Sequence, residues 1–452
     1  MRIRFFAFFL VALVASRGDG LPKPRVVNGS ATFAQPAVAM LAFYADAGHS
    51  DLTSLCSGTL VGCHSVVTAA HCLCPENSDN FAECQSQGIA DPRTILVFLP
   101  NVGVLTVEAV AVHPNYEFGA GYDVGLLRLA EPADGVPPLS LARAKPAPDS
   151  AGTVVGYGTT RAGFRSVDDT GIKREGPVVF GACPADVPAD LHVCWSFTGT
   201  GSNTCSGDSG GAVMAKEDGS EVLVGVVSGG STVDCLAPDQ SFATDVTTVR
   251  NWIEGTAGED VGVTCNTVGH VDDGRTLVRT FSASLSVANP RVQEQIEIDT
   301  QAAELRVSFN GQTGSNSGFL NQDNDFDLLV GHTEGNNITW VCRDERPENW
   351  GACRIERPQP GLWTIELRRI AGTGPAQVTA TVFRATSPCA GDCNGDATVE
   401  ISEIVTAVNI ALGAEGGDLC PAADDDGDGA VTVDEIILAV NGALNGCSTS
   451  IP

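Results

Sequence analysis

Residues 204–211, which read TCSGDSGG, constrain this chain more than any other stretch. They place Ser209 among glycines and directly after Asp208. A nucleophilic serine needs backbone N–H groups aimed at the oxyanion that it creates, and glycine, which lacks a Cβ, lets a substrate approach the backbone closely. By itself the motif could be a surface turn. It indicates an acyl-transfer site only if a base and an orienting carboxylate occur elsewhere in the chain.

Two upstream motifs supply these groups. His71 lies in TAAHC, directly after the apolar run 65–67, and Asp123 begins DVGLLRL at the start of a buried strand. The order histidine, aspartate, serine is that of chymotrypsin-type active sites. A lone histidine is more often a hydrogen-bonded core residue than a base, but three motifs in this order favour catalysis.

With these motifs, residues 26–255 resemble the chymotrypsin/trypsin-like serine protease family. The resemblance implies two packed β-barrels with a closing C-terminal helix. It implies that Ser209 is the nucleophile, His71 the general base and Asp123 the residue that orients His71. The N–H groups of Gly207 and Ser209 would form the oxyanion hole. Peptide-bond hydrolysis through an acyl-enzyme of this kind needs no cofactor.

The resemblance also implies activation by proteolysis. Residues 25–29, RVVNG, match an activation site at which cleavage after Arg25 frees the Val26 α-amino group. That group would insert beside Asp208 and order the oxyanion loop. Because a buried charge without its partner is costly, we expect the uncleaved chain to be a poorly organised zymogen.

The substrate pocket departs from the trypsin pattern. By resemblance, Asn203 lies at the pocket floor, Ser228 and Gly230 lie on its wall, and Gln240 lies near its interior. Gly229 replaces a tryptophan that is usual in the family. Since no aspartate occupies the floor position, a buried cation would lack a partner, and we expect no dominant preference for Arg or Lys.

Length and composition indicate a multidomain, mainly β protein. The 452 residues exceed one typical domain. Basic residues precede the apolar run 5–14, which indicates a signal peptide, and no later run is long enough to span a membrane. The expected segments are a signal peptide (1–16), a propeptide (17–25), the trypsin-like domain (26–255), a linker (256–276), a β-sandwich (277–386) and a paired calcium-loop module (387–452).

Residues 277–386 have the pattern of a second all-β domain. Motifs at 323–330, DNDFDLLV, and 360–365, PGLWTI, resemble the bacterial pre-peptidase C-terminal domain. The acidic cluster could bind calcium, but a solvated turn is the simpler interpretation. Strand-like alternation occurs in six segments: 294–298, 304–309, 326–330, 337–342, 362–367 and 377–383.

Sixteen cysteines in an exported chain favour disulfides over metal thiolates. The protease resemblance implies three pairs: Cys56–Cys72, Cys183–Cys194 and Cys205–Cys235. Other pairings stay open from sequence alone: Cys74 with Cys84 in one loop, Cys342 with Cys353 as a hairpin staple, Cys63 with Cys265 as the two left over, and two pairs among Cys389, Cys393, Cys420 and Cys447.

Two twelve-residue segments, 392–403 and 424–435, repeat ligand-type residues in register. Both place oxygen atoms at positions 1, 3, 5, 7 and 12, the ring of hard oxygens that calcium requires. At the sharp turn the second segment has Gly429, whereas the first has Ala397. The expected ligands are Asp392, Asn394, Asp396, Thr398 and Glu403 in the first loop, and Asp424, Asp426, Asp428, Ala430 and Glu435 in the second.

Each loop leads into an apolar helix, and paired loop–helix units resemble EF-hand-like dockerin modules, which dock onto cohesin domains. The resemblance implies structural calcium and a cohesin-like or cell-surface partner, although the flanking cysteines are not part of the usual dockerin pattern. Of the net charge of −29, residues 387–452 contribute −12 and hold no Lys or Arg. Such acidity excludes nucleic acid as a partner class.

The expected function is that of a secreted bacterial serine endopeptidase, free or associated with the cell surface, which acts on proteins or peptides. One alternative is a catalytically silent homologue that serves as an adhesive or docking scaffold. Another is a binding protein whose main role lies in residues 387–452. The presence of His71, Asp123, Ser209 and Asp208 together favours the enzyme.

Overall fold

The computed structural model of the chain describes residues 26–49, 51–160, 169–265, 268–272, 276–300, 302–313, 324–384, 389–394, 398–424 and 429–446. The expected signal peptide and propeptide, with Arg25, lie outside these residues, as do the expected ligands Asp396, Asp426 and Asp428. In the described part, helices are few and short, and none is long and apolar enough to cross a bilayer.

Strands dominate the chain up to residue 260. In chain order they are β1 (Ser30–Ala31), β2 (Val38–Tyr44), β3 (Leu52–Leu60), β4 (Ser65–Thr68), β5 (Ile95–Leu99), β6 (Gly103–Val112), β7 (Gly125–Leu129), β8 (Ala151–Gly156), β9 (Arg174–Val179), β10 (His192–Phe197), β11 (Ala212–Glu217), β12 (Ser220–Gly230) and β13 (Asp239–Asp245). The α-helices are α1 (Phe81–Gln87) and α2 (Val246–Ala257), and short 3-10 helices occur at Ala70–Cys72, Pro92–Thr94 and Gly258–Asp260.

These strands form two barrel-like sheets. The first is a closed barrel in the order β2-β3-β4-β7-β6-β5. The second has the order β1-β9-β8-β11-β12-β13-β10, and a bridge connects Phe180, which follows β9, to Trp195 in the edge strand β10. The prediction of a mainly β, double-barrel domain is therefore confirmed.

Strand β2 shows how the first barrel is packed. Leu41 and Phe43 point into the barrel interior, whereas Met40 and Tyr44 belong to a second cluster that includes Tyr157 of the other barrel. Because side chains alternate along a strand, both faces of β2 are buried. The two barrels consequently pack directly on each other. Residues just beyond the ends of their strands can therefore meet in the space between the barrels.

The second all-β region is a sandwich. Its strands are β14 (Leu277–Leu285), β15 (Arg291–Ile298), β16 (Ala302–Gly311), β17 (Asp325–Glu334), β18 (Asn337–Asp344), β19 (Trp350–Glu356), β20 (Gly361–Ala371) and β21 (Gly374–Arg384). Sheets β14-β21-β16-β19 and β15-β20-β17-β18 share one apolar core, to which Phe309 and Trp363 contribute from opposite sheets. The six predicted strand segments lie within six of these strands, and β14 and β19 add to them.

The sandwich packs on the outer face of the first barrel. The rings of Trp350 and Phe98 meet edge to face with centroids 5.9 Å apart. Beside them, the Tyr44 hydroxyl donates to Glu348 Oε1 over 2.6 Å in a buried position. Buried aromatic and hydrogen-bonded contacts of this kind fix the sandwich against the protease domain.

Disulfides brace all three parts of the chain. The structure forms the following pairs: Cys56–Cys72, Cys63–Cys265, Cys74–Cys84, Cys183–Cys194, Cys205–Cys235, Cys342–Cys353 and Cys393–Cys420. Cys342 lies in β18 and Cys353 in β19, and these strands belong to different sheets. The predicted Cys342–Cys353 pair forms, but its interpretation as a hairpin staple is wrong, because this disulfide joins the edges of the two sheets.

The C-terminal region contains two helices, α3 (Ile401–Ala411) and α4 (Val433–Asn445), each of which begins at the tenth position of one of the repeated segments. Short 3-10 helices lie at Gly417–Leu419 and Pro421–Ala423. Small side chains, among them Ala407 and Ala439, form its buried contacts. Ile401 and Leu412, by contrast, are 79% and 77% exposed. The two helices therefore keep much of their apolar surface uncovered.

Candidate active site

His71 and Asp123 meet at one end of the first barrel. His71 lies in the 3-10 helix Ala70–Cys72 that follows β4, and Asp123 precedes β7. Strands β4 and β7 are paired, with Thr68 opposite Gly125, so the two side chains leave neighbouring strand ends. His71 Nδ1 lies 2.7 Å from Asp123 Oδ2, and the His71 backbone N–H donates to Asp123 Oδ1 over 2.9 Å.

The surroundings of this pair stabilise a positive imidazole beside a negative carboxylate. Asp123 is fully buried, and Ser228 Oγ donates to Asp123 Oδ2 over 2.6 Å. Burial raises the pKa of Asp123, but the charge of His71 and the hydrogen bonds from His71 and Ser228 outweigh it and lower that pKa. Burial lowers the pKa of His71, but the charge and hydrogen bond of Asp123 outweigh it, so the net shift is upward. An imidazolium is thus favoured here.

Ser209 lies in the loop between β10 and β11 and shares a cavity of about 530 Å³ with His71 and Ser228. The loop reaches the first barrel, because Ser57 N donates to Ser209 O over 2.8 Å. Among the described residues, no hydrogen bond joins Ser209 Oγ to His71 Nε2, and such contacts often tighten only with substrate. The structure brings Ser209, His71 and Asp123 to one cleft between the barrels.

The Gly207 N–H is oriented by its own peptide group. Ser206 O accepts a hydrogen bond from Thr159 N over 2.9 Å, and in a trans peptide the N–H of the next residue points the opposite way. Gly207 has φ of +92°, which glycine adopts without strain. Within the described chain, this N–H donates to no protein acceptor. It can therefore bind a negative oxygen in the cleft.

The Ser209 N–H is held in the same manner. Asp208 O accepts from Gly211 N over 2.8 Å, which turns the Ser209 N–H of that peptide away from Gly211. The part of the chain that the structure describes offers this N–H no acceptor either. Two adjacent donors without a protein partner are the arrangement that an oxyanion hole requires.

The Asp208 carboxylate is buried, and the neutral backbone N–H groups of two described residues bind it. Asp208 Oδ1 accepts from Gly158 N over 2.8 Å, and Oδ2 accepts from Cys205 N over 3.0 Å. Burial raises the pKa of Asp208 to about 6, against the lowering effect of these hydrogen bonds and of the Arg174 charge. No ion pair to Asp208 occurs among the described residues. Val26 is also buried, with 1% of its surface exposed.

The predicted pocket residue Asn203 lies behind a carboxylate that sequence reasoning missed. Asn203 is fully buried and donates to Asp239 Oδ2 over 2.7 Å. Asp239 Oδ1 accepts from Ser231 Oγ over 2.8 Å and from Thr232 N over 3.0 Å. Asp239 is 3% exposed and lines the same cavity as Ser209. The pocket therefore contains a fixed carboxylate, and the stated reason for expecting no basic preference does not apply.

The expected inward position of Gln240 is wrong. Asp239 and Ser241 both hydrogen-bond Asn203. Because side chains alternate along β13, Gln240, which lies between them, faces the other way. Gln240 Nε2 donates to Ala182 O over 3.4 Å. A shift of one residue in the assumed alignment exchanges the two faces of a strand. Ser228 and Gly230, in contrast, line the cavity that Ser209 also lines.

Two phenylalanines form an apolar wall beside His71, in the space that Gly229 leaves. A Cβ at Gly229 would lie 2.8 Å from Phe242 Cζ and 3.3 Å from Phe118 Cζ. The Phe118 ring meets the His71 ring edge to face, with centroids 5.4 Å apart, and Phe118 is 44% exposed. No sequence signal marks Phe118, because it lies in a loop and reaches the site only through the fold.

The repeated C-terminal segments contain buried carboxylates at their twelfth positions. Glu403 and Glu435 are 6% and 4% exposed. Glu403 Oε1 accepts from Asn394 N over 3.0 Å, and Asp424 Oδ2 accepts from Gly429 N over 2.9 Å. Hard oxygens in a segment that contains no Lys or Arg fit calcium. Within the described residues, no three acidic, histidine or cysteine side chains form a metal-binding group, and Asp396, Asp426 and Asp428 lie outside them.

The upward shift of the His71 pKa predicts the acid limit of activity. A histidine that acts as a base must be neutral, so activity falls as the pH drops through its pKa. Since that pKa is raised from 6.5, kcat/KM for a short peptide should be half-maximal above pH 6.5. In Asp123→Asn, burial alone acts on His71, and the midpoint should move below that of the wild type. A wild-type midpoint below 6.5 would contradict this assignment.

Comparison with known proteins gives a consistent result for the first half of the chain. A sequence model of the family described as trypsin matches residues 26–253. The chain is similar to a trypsin of Saccharopolyspora erythraea, with 32% identity over 197 residues that cover 42% of this chain and 80% of that protein. It is also similar to a trypsin-like protease of Streptomyces glaucescens, with 33% identity over 183 residues, 39% of this chain and 65% of that protein.

An animal protein is also similar to the chain. The anionic trypsin of Canis lupus familiaris is 28% identical over 210 residues, which cover 44% of this chain and 79% of that protein. The family region, residues 26–253, contains the two barrels, His71, Asp123 and Ser209. The sandwich and the C-terminal helices lie beyond the matched family region.

Proposed function

The chain belongs to the trypsin family and is a serine endopeptidase, and from that premise we propose that Ser209, His71 and Asp123 form its catalytic triad. The observation that carries the proposal is the His71–Asp123 pair, in which a buried carboxylate holds a partly exposed imidazole over 2.7 Å at the cavity that Ser209 lines. A base held by a carboxylate beside an accessible serine is the minimal constellation for acyl transfer.

In this mechanism, Ser209 Oγ attacks the scissile carbonyl carbon while His71 Nε2 takes the hydroxyl proton. Asp123 holds His71 Nδ1–H and stabilises the imidazolium. The N–H groups of Gly207 and Ser209 bind the oxyanion of the tetrahedral intermediate. His71 then protonates the leaving amine, and it later activates the water that hydrolyses the acyl-enzyme.

A fluorophosphonate probe, which reacts only with an activated serine, tests this proposal against the catalytically silent scaffold. We expect the probe to label the wild-type protein at Ser209 and to leave Ser209→Ala unlabelled. Absence of labelling in a folded, Val26-initiated wild-type protein would favour the scaffold. The experiment thus separates turnover from binding in the full-length chain.

The proposed zymogen switch rests on Asp208. A buried carboxylate whose pKa burial raises to about 6 would gain from a cation, and the Val26 ammonium created by cleavage after Arg25 supplies one. Val26 is buried already, which supports the same pairing. The probe above extends to this step, since Arg25→Gln should stay uncleaved and label much more slowly than the wild type.

The proposed substrate preference is for a basic residue before the scissile bond. Asp239 lines the cavity, and the donors that the described residues offer its carboxylate are all neutral: Asn203 Nδ2, Ser231 Oγ and Thr232 N. A buried carboxylate held by neutral donors favours a ligand that supplies the counter-charge. The substrates are accordingly proteins or peptides with accessible Arg or Lys residues.

The remaining segments complete the proposal. Residues 1–16 would direct secretion and 17–25 would form the propeptide. The sandwich corresponds to a pre-peptidase C-terminal-like domain, and residues 387–452 to a dockerin-like module with structural calcium and a cohesin-like or cell-surface partner. The exposed apolar faces of α3 and α4 support a docking role, because apolar surface of this extent usually marks an interaction site.

Calcium removal should loosen the C-terminal module without changing the protease. Binding of an ion to the folded state alone stabilises it by about 2.7 kcal/mol at one hundred times its dissociation constant. We expect a chelator to speed hydrogen exchange in α3 and α4 of the full-length protein. Glu435→Gln should reproduce the effect, whereas the neighbouring Asp434→Asn should not. Exchange that is independent of calcium in these helices would contradict the proposal.

A further inference from the structure

The face of the sandwich that meets the protease domain carries buried polar side chains. Asn310 and Thr313 lie at the end of β16 and just after it, Gln377 lies in β21, and all are at most 4% exposed. Buried polar groups demand partners with defined geometry, so contacts made through them fix position more tightly than apolar contacts do.

These side chains hold one short protease segment, residues 169–174, before and at the start of β9. Asn310 Nδ2 donates to Gly171 O over 2.8 Å, and Thr313 N donates to Thr170 O over 3.0 Å. The hydroxyl groups of Thr170 and Thr313 are 2.9 Å apart. Three sandwich-to-protease contacts therefore converge on two successive residues.

Gln377 is the centre of this contact. Its Oε1 accepts from Lys173 N and from Asn310 Nδ2, both over 2.8 Å. Its Nε2 donates to Thr32 O over 2.8 Å and to Lys173 O over 3.4 Å. Gln377 thus joins segment 169–174 to the strand-like start of the protease domain, and its amide group is fully used.

Segment 169–174 in turn holds residues 158–160. Arg174 donates to Gly158 O over 3.1 Å and to Asp169 O over 3.0 Å. The Asp169 carboxylate accepts from Thr160 N over 2.9 Å and from Thr159 Oγ1 over 2.5 Å. Every link is a hydrogen bond between buried or half-buried groups.

Residues 158 and 159 are the ones that orient the oxyanion loop. Gly158 N donates to Asp208 Oδ1 over 2.8 Å, and Thr159 N donates to Ser206 O over 2.9 Å. The second bond sets the direction of the Gly207 N–H. An unbroken series of hydrogen bonds therefore runs from the sandwich to the oxyanion donors.

We propose that the sandwich is a positioning element for catalysis, which holds segment 169–174 and thereby fixes the donors of the oxyanion hole. The inference rests on the proposed function, because it assigns Gly207 and Ser209 to that hole. Asn310, Thr313 and Gln377 are positioning residues and touch neither substrate nor the reacting atoms.

The test compares variants of the full-length, Val26-initiated enzyme at a temperature at which each is folded. Gln377→Leu removes the central amide, and Thr313→Val removes one hydroxyl with little change of shape. Gln295→Leu, on the exposed face of β15 in the other sheet, is the matched control. The readouts are kcat and KM for one peptide, and the inhibition constant of a peptide aldehyde, whose adduct places an oxyanion in the hole.

Loss of one oxyanion donor costs roughly 100- to 1,000-fold in kcat, so partial loosening should cost about 10- to 100-fold. We expect Gln377→Leu to lower both kcat and the affinity for the aldehyde by that factor, while KM stays within about threefold of the wild type. Thr313→Val should lower the same two quantities less. Gln295→Leu should match the wild type.

Wild-type kcat and aldehyde affinity in folded Thr313→Val and Gln377→Leu would overturn the inference, and so would a rise in KM without loss of aldehyde affinity. If Gln377→Leu does not fold, Thr313→Val alone decides. Failure of the proposed function would look different, because the wild-type enzyme itself would then neither hydrolyse the peptide nor bind the aldehyde.

Discussion

Replacement of Ser209 by alanine should lower kcat for a peptide substrate by roughly 10⁶-fold, the loss seen when the nucleophile of a triad is removed. The expectation follows from the geometry around the serine. The His71–Asp123 pair is placed to accept the proton of the Ser209 hydroxyl, and attack by Ser209 creates the oxyanion that the N–H groups of Gly207 and Ser209 bind. Steady-state kinetics on the activated enzyme measures the loss.

A second cleft serine gives the matched control. Ser206 also lines the cavity, three residues before Ser209, but its hydroxyl has no part in the mechanism. Ser206→Ala should keep kcat within about threefold of the wild type. Residual activity of Ser209→Ala should stay roughly 10³- to 10⁴-fold above the uncatalysed rate, because the oxyanion donors remain. A loss of only tenfold in Ser209→Ala would remove Ser209 from the role of nucleophile.

Neutralisation of Asp239 should produce the second large effect, on substrate selection. Removing one partner of a buried charge pair costs about 2–5 kcal/mol, which corresponds to roughly 30- to several thousand-fold. The measurement compares kcat/KM for two peptides, one with Arg before the scissile bond and one with an uncharged residue there. In Asp239→Asn, the ratio of the first value to the second should fall by this factor. The activity on the uncharged analogue should change little, since the triad is untouched.

Gln240→Ala separates this proposal from the interpretation that sequence alone favours. Gln240 is the next residue of β13 but faces Ala182, so its removal should leave the ratio within about threefold of the wild type. If the wild-type enzyme shows no preference for Arg or Lys, the original expectation from Asn203 holds and Asp239 serves only to anchor Asn203 and the loop around Ser231.

Local sequence predicted the protease half of the chain well. The family resemblance drawn from TAAHC, DVGLL and GDSGG is confirmed for residues 26–253, and the double-barrel fold follows it. Such motifs are informative because each combines a reactive group with the strand or turn that presents it. The strand segments of the sandwich were predictable for a similar reason, since alternation of apolar residues reports one buried face.

Two strands of the sandwich gave weaker signals. Strand β14 is an edge strand with only two buried residues, Ala283 and Leu285, so its apolar pattern is faint. Strand β19 is short and contains Cys353, whose disulfide partner Cys342 lies in the other sheet. A cysteine pair eleven residues apart reads as a hairpin staple, and only the sheet order reveals that the chain changes sheets between the two.

The sequence by itself determined the kind of chemistry, because the reactive residues and the motifs that present them are local properties of the chain. Only the tertiary structure decided the charge of the substrate pocket and the attachment of the sandwich. Because side chains alternate along β13, Asp239 and not Gln240 faces Asn203 in the pocket. Gln377 hydrogen-bonds Thr32, which lies 345 positions away in the sequence. Contacts of that kind depend on how separate elements pack, and no local pattern encodes them.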